Sequence, residues 1–249
     1  MNETLAFMFG YGWSVWDLLL IPGLLLGLYA RARLSSSYGR YSQVPAESGL
    51  SGAEAARHIL NSAGMPHMPI YETPGELTDH YDPIKKALFL SEHNFHGRSL
   101  AALGVAAHEA GHALQHKAAY APLHFRMALV PIANIASSGA MFAFMIGMLL
   151  ASARGAAGGW GSTLMGIGIV LFSVMTFFQL VTLPVEFDAS KRAKQQLLAL
   201  GLVGRNELPG VSNVLGAAAL TYVAALAAAV FELLRLIMIS RSFSSRDDR

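Results

Sequence analysis

Between Arg126 and Glu186 the chain carries a single charge, Arg154, in a stretch of 59 residues. No other feature limits its possible folds so much. Arg154 and the glycines around it divide the stretch into two apolar segments, 127–153 and 160–184. About 20 apolar residues suffice for a helix to cross the hydrocarbon core, and few soluble helices run so far without a charge. In lipid the backbone must satisfy its own polar groups, so the segments are expected to be helical. Two more stretches are poor in charge: 5–30, which holds only Asp17, and 211–239, which is uncharged up to Phe231 and then carries Glu232 and Arg235. The sequence therefore predicts four transmembrane helices. Composition agrees. Apolar residues make up 53% of the chain and charged ones 14%, against roughly 25% in soluble domains, and the net charge is +2. Such a chain cannot clothe a soluble globule, is not disordered, and has no broad basic face for nucleic acid.

Basic residues set the expected orientation. Arg31, Arg33 and Arg40 follow the first span, Lys117 and Arg126 precede the second, and Lys191, Arg192, Lys194 and Arg205 separate the third from the fourth. Arg154 alone lies in the opposite loop. The positive-inside rule then puts 31–126 and 185–207 in the cytoplasm. The tail, 240–249, falls outside on this count although it holds Arg241, Arg246 and Arg249. Glu3 in place of a basic residue before the first segment favours a retained anchor over a cleaved signal peptide. Trp13 and Trp16 fit a membrane interface, and Pro22 a kink.

Residues 31–126 hold all nine histidines and eight of the sixteen acids. Ser35–Gly52, rich in Ser, Gly and Tyr, reads as a linker. Ser51 and Glu54 form a capping-box pattern for a helix running to about Ala63, which Gly64 and Pro66 end. Met68–Tyr71 and Ala87–Leu90 are short apolar runs of strand type, with Leu77–Pro83 between them as a turn or loop. A second helix, about 98–116, follows.

That helix reads Ala107-His108-Glu109-Ala110-Gly111-His112-Ala113-Leu114-Gln115-His116. His108 and His112 stand four residues apart, about 6 Å along one helix face, so two imidazoles can meet one Zn²⁺. Glu109 is not needed as a ligand and can take a proton from a water that the ion activates. With no cysteine in the chain, any metal must be held by His, Asp or Glu. His116 cannot be the third ligand, since eight residues of helix carry it about 12 Å from His108. The spacing that puts a third His six residues after the second leads to Ala118. Glu186 is the expected third ligand: two crossings separate it from His112, which returns the chain to the same side of the membrane. Asp79 and Asp82 are the alternatives. The remaining His58, His67, His93, His96 and His124 are expected to be surface groups.

Three runs together, Leu77-Thr78-Asp79-His80-Tyr81-Asp82-Pro83, the helix from His108 to His116, and Leu183-Pro184-Val185-Glu186-Phe187-Asp188-Ala189-Ser190, resemble the YugP-type neutral zinc metallopeptidases of bacterial membranes. The likeness extends to Leu220-Thr221-Tyr222-Val223-Ala224. More distantly the chain resembles the gluzincins among the heat-shock and CAAX-processing membrane peptidases. The resemblance implies a mainly α fold: a four-helix transmembrane bundle with a small α+β zincin-like catalytic region on the cytoplasmic side of the bacterial inner membrane. It further implies one Zn²⁺ per chain on His108, His112 and Glu186, with Glu109 as base and a membrane polypeptide as substrate. Where the distant relatives have an Asp four residues after the ligand Glu, this chain has Ser190, and Asp188 is the expected substitute. Substrate is expected to add as a strand beside Ala87–Leu90. His80, Tyr81, Arg192 and Tyr222 are candidate donors to the oxyanion. Two rival classes are a scaffold protein with a structural zinc and a transporter built around Glu232 and Arg235.

Overall fold

The computed structural model describes residues 14–152 and 159–247, with side chains as far as 243. A 3₁₀ turn, Val15–Leu19, opens α1 (Leu20–Ser42); α2 (Gly52–Ser62), β1 (Ile70–Thr73), β2 (His80–Asp82), β3 (Ala87–Ser91), α3 (Glu92–His96) and α4 (Leu100–Lys117) follow. Three long helices complete the chain: α5 (Ala121–Ser152), α6 (Trp160–Ala199) and α7 (Leu208–Asp247). Among the described residues, four stretches are long and apolar enough to cross a membrane: Val15–Ser42, Ala121–Ser152, Trp160–Ala199 and Leu208–Phe243. The expected positions 5–13, Arg154 and Arg249 lie outside the described residues.

Several elements differ from the expectations. α1 continues through the serine-rich stretch read as a linker, because Tyr38 is buried there and its hydroxyl donates to Asn94 Oδ1 at 2.8 Å. α6 does not stop before Glu186. It passes Pro184 without a break and runs 40 residues, about 60 Å at 1.5 Å per residue, twice the hydrocarbon thickness. The third span and the segment bearing Glu186 thus belong to the same helix. α7 likewise takes in most of the expected tail. Within 77–83, His80–Asp82 is a strand rather than a turn. The sheet order is β1-β3-β2, β1 parallel and β2 antiparallel to β3. Ala87–Ser91 is therefore the central strand, hydrogen-bonded on both sides, and cannot be the edge to which a substrate strand adds.

The chain forms two compact units, with boundaries inside α1, α5, α6 and α7. The first comprises Ala128–Leu180 with the chain up to Leu28 and from Val223 onward. Phe144, Met165, Leu236 and Ile239 are its core. α5 and α6 approach so closely that a Cβ on Gly147 would stand 2.5 Å from the Met165 nitrogen, the backbone-on-backbone packing that small residues permit in membranes. Asp17, the charge in the first apolar stretch, accepts from Ser14 N at 2.6 Å at the cap of the 3₁₀ turn and from Arg235 Nε at 2.6 Å. Arg235 also donates to Glu232 at 2.9 Å. Glu232 and Arg235 thus pair with each other, and Asp17 joins them.

The second unit holds Tyr29–Met127 and Val181–Tyr222. Its core gathers Ile59, Leu60, Leu88, Leu90, Leu103, Leu197, Val211 and Leu215, so alternate residues of β3, one face of α2, the nearly fully buried α4, the last turns of α6 and the first turns of α7 share one interior. Ser51 caps α2 by the capping box, accepting from Glu54 N at 3.2 Å while Glu54 Oε2 accepts from Ser51 N at 2.7 Å. All the chemistry-bearing histidines lie in this unit.

Candidate metal centre

α4 starts at Ser99, whose hydroxyl accepts from Ala102 N at 3.2 Å, and buries nearly every residue up to Gln115. Its alanine-rich face admits α6 at backbone distance. A Cβ on Gly111 would lie 2.6 Å from the Ala189 carbonyl oxygen, so only glycine allows the two helices to meet there. This contact brings Glu186, one turn before Ala189, to His108 and His112, which flank Gly111. The two rings lie 4.8 Å apart at 83°. Glu186 Oε2 is 3.2 Å from His108 Nε2 and 3.6 Å from His112 Nε2, and all three side chains can offer ligand atoms within 4.8 Å of one another.

Each of the three is steered by one partner on its outward atom. Ser190 Oγ lies 3.1 Å from His108 Nδ1. Gln115, fully buried, places Oε1 3.0 Å from His112 Nδ1. Arg126 Nη1 donates to Glu186 Oε1 at 3.0 Å, which leaves Oε2 to face the imidazoles. The Gln115 amide donates to the Val185 carbonyl at 2.7 Å and to Asp188 Oδ2 at 2.9 Å. Two acceptors fix its nitrogen, so its oxygen must face His112, and His112 Nδ1 must carry the proton. A neutral His112 then aims its Nε2 lone pair at a carboxylate oxygen. Only a proton or a metal cation between them makes that stable.

The donor set fits zinc. Two atoms each about 2.0–2.1 Å from a tetrahedral ion lie roughly 3.4 Å apart, close to the two separations to Glu186. Electrostatics point the same way. Burial opposes charge on His112, but its hydrogen bond to Glu186 and the carboxylates of Glu109 and Glu186 outweigh it, and its pKa is raised. The field that draws a proton there also draws a metal ion. Glu109 is buried beside His108, and burial pushes its carboxyl pKa up, against the pull of the two imidazoles. It lines a cavity with His108 and Tyr222, and Tyr222 stands next to Glu186.

Other candidates lie elsewhere. Asp79 accepts from Ser91 N, Ser91 Oγ and Asn94 Nδ2 at 2.8–3.1 Å, and Asp82 caps a turn by accepting from Ile84 N and Lys85 N. Neither joins the cluster. His80 stacks on Phe89 at 4.8 Å with Nδ1 2.9 Å from the Thr78 carbonyl. Tyr81 meets His116 Nδ1 at 2.8 Å. Arg192 pairs with Asp188 and lies over Tyr120. Of the four proposed donors to an oxyanion, Tyr222 is the one that shares a cavity with Glu109. Asp188 does not replace the missing carboxylate at 190: it reaches His112 through Gln115, while Ser190 itself serves His108. Sequence reasoning missed Gln115 and Arg126. Gln115 had a usable signal, one turn after His112 on the same face; Arg126 was considered only for the sign of its charge.

The profile of a family described as "Putative neutral zinc metallopeptidase" matches residues 16–241, most of the chain. The chain belongs to this family. It is also similar to the "Putative membrane protease YugP" of Bacillus subtilis (strain 168), 48% identical over 221 residues that cover 89% of this chain and 94% of that protein. No solved structure matches it. Membership makes zinc the metal to which the donor set should be compared, and the four apolar helices make the chain an integral membrane protein.

Proposed function

We propose that the chain is a membrane-embedded zinc metalloendopeptidase that cleaves membrane or membrane-proximal polypeptides, its site facing the cytoplasm from a bacterial inner membrane. His108, His112 and Glu186 hold one zinc ion, and Glu109 is the general base. The observation that carries this is the meeting of two Nε2 atoms with Glu186 Oε2 while Glu109, uninvolved in the cluster, faces a cavity beside them. Bound there, the ion supplies Lewis acidity, polarising a peptide carbonyl and acidifying water. Glu109 accepts the proton of the attacking water and delivers it to the departing amine nitrogen. Tyr222 donates toward the developing oxyanion. Because β3 is central, backbone addition of substrate falls to the outer edge of β2, the edge strand that packs on α4.

A structural zinc would normally be closed by four protein ligands; three gather among the described residues, which favours catalysis over a scaffold role. Glu109→Gln is expected to keep its zinc and lose cleavage of casein or a membrane-protein substrate by about 10²-fold or more. Undiminished turnover in that variant would refute the mechanism. Glu186→Ala should lose most of its zinc by metal analysis, and full occupancy would remove Glu186 from the ligand set.

A further inference from the structure

The cavity that Glu109 and His108 face has a volume of about 170 Å³. Leu34, Val105, Val214, Leu215 and Ala218 supply its apolar wall, with the half-exposed Leu77 also among its lining residues. Its other polar side chains, Tyr38, Asp79 and Thr221, each have hydrogen-bond partners already. Tyr38 donates to Asn94 Oδ1 at 2.8 Å. Asp79 accepts from three donors, Ser91 N, the Ser91 hydroxyl shared between its two oxygens, and Asn94 Nδ2. Thr221 Oγ1 donates to the Ala218 carbonyl at 2.6 Å. The groups at the reacting end free to act on a substrate backbone are Glu109 and Tyr222. A guest in the rest of the cavity meets a mostly apolar wall. An apolar cavity of about 150 Å³ accommodates a molecule the size of benzene, so this one has room for a single leucine, methionine or phenylalanine side chain.

Building on the peptidase function above, we propose that this cavity is the specificity pocket, and that it takes one large apolar side chain of the residue beside the bond to be cleaved. Its substrates are then apolar stretches of polypeptide, and Ala218, on α7, sets the depth of the pocket. A methylene added to or removed from an apolar pocket changes discrimination about 10–200-fold.

The test uses the full chain, zinc-loaded in detergent, against a peptide library of mixed composition with cleavage sites read by mass spectrometry. Wild type is expected to cut beside Leu, Met, Ile or Phe at least about tenfold more often than beside Gly, Asp or Lys. Ala218→Leu, filling the pocket, should retain zinc, lose cleavage beside Leu and Phe about tenfold or more, and keep cleavage beside Ala or Val. Val105→Ala, which deepens the pocket from another helix, should shift preference toward Phe and covers the case in which the first variant does not fold. Wild-type preference for Lys or Arg would show that the Asp79 charge governs the pocket, and would overturn the proposal. So would an unchanged profile in both folded variants. Failure of zinc-loaded wild type to cut any peptide would instead overturn the peptidase function, and this inference with it.

Discussion

Gly111→Ala isolates the helix contact that assembles the site. The new Cβ would sit 2.6 Å from the Ala189 carbonyl oxygen, where ordinary contact begins at 3.4 Å, so α4 and α6 must part by about 0.8 Å, the difference of the two. His108 and His112 lie on one side of that contact and Glu186 on the other. Metal–ligand distances tolerate only about ±0.2 Å, so a parting of this size should lower zinc affinity at least about tenfold. Overpacking should also cost about 1–3 kcal/mol of stability. Helix propensity acts in the opposite direction, favouring Ala over Gly by about 0.8–1 kcal/mol. Gly216→Ala is the control, because nothing lies within 4 Å of a Cβ there and only the propensity gain should remain. Chelator competition for zinc and thermal unfolding in detergent provide the two readouts. If Gly111→Ala bound zinc as wild type does and melted higher, as the control should, the close approach would have no part in building the site.

How far such features can be read from sequence depends on whether their cause is local. Charge-poor stretches reveal membrane helices because the solvent imposes composition residue by residue. His108 and His112 are legible because helix pitch alone sets their separation, and Glu186 because two crossings return it to the same face. Strand order is not local: nothing in Ala87–Ser91 says that partners lie on both its sides. β2 was hidden because His80–Asp82 is flanked by Asp79 and Pro83, residues that ordinarily mark turns. The end of α1 was hidden because the hold on it, Tyr38 against Asn94, joins residues 56 apart. The same is true of the Gln115 bonds to Val185 and Asp188, made across 70 and 73 residues. Charge placement puts the end of the third span at 184, yet the helix continues through Pro184; in a membrane helix neighbouring groups re-satisfy the carbonyl that proline frees.

Three further outcomes are expected. Burial, then His124 and Lys86, hold the pKa of His116 below its ordinary 6.5, and Tyr81, pushed up to about 12 by burial and Asp82, remains a donor to it throughout. The unfolded chain therefore protonates His116 first, so this contribution is complete above pH 6.5 and is lost as pH falls below it; His116→Asn should flatten that part of the stability profile, and an equal slope in both proteins would contradict the assignment. Arg235→Leu should leave Asp17 and Glu232 without their cation and cost on the order of 3 kcal/mol, measured by thermal unfolding, while adding Asp17→Asn and Glu232→Gln should recover most of it; a single variant as stable as wild type would mean the cluster contributes nothing. Gln115→Leu, which frees the His112 tautomer and unties α4 from Val185 and Asp188, should weaken zinc binding about 10–100-fold. Gln115→Glu should do the same by setting two carboxylates face to face, since Asp188 Oδ2 now accepts from the amide at 2.9 Å. Adding Asp188→Asn turns that contact round, the new amide donating to the new carboxylate, which still accepts from His112 Nδ1. Because the Val185 carbonyl does not regain the bond from residue 115, affinity should return most but not all of the way; no recovery in a folded double variant would mean that His112 does not depend on this chain of hydrogen bonds.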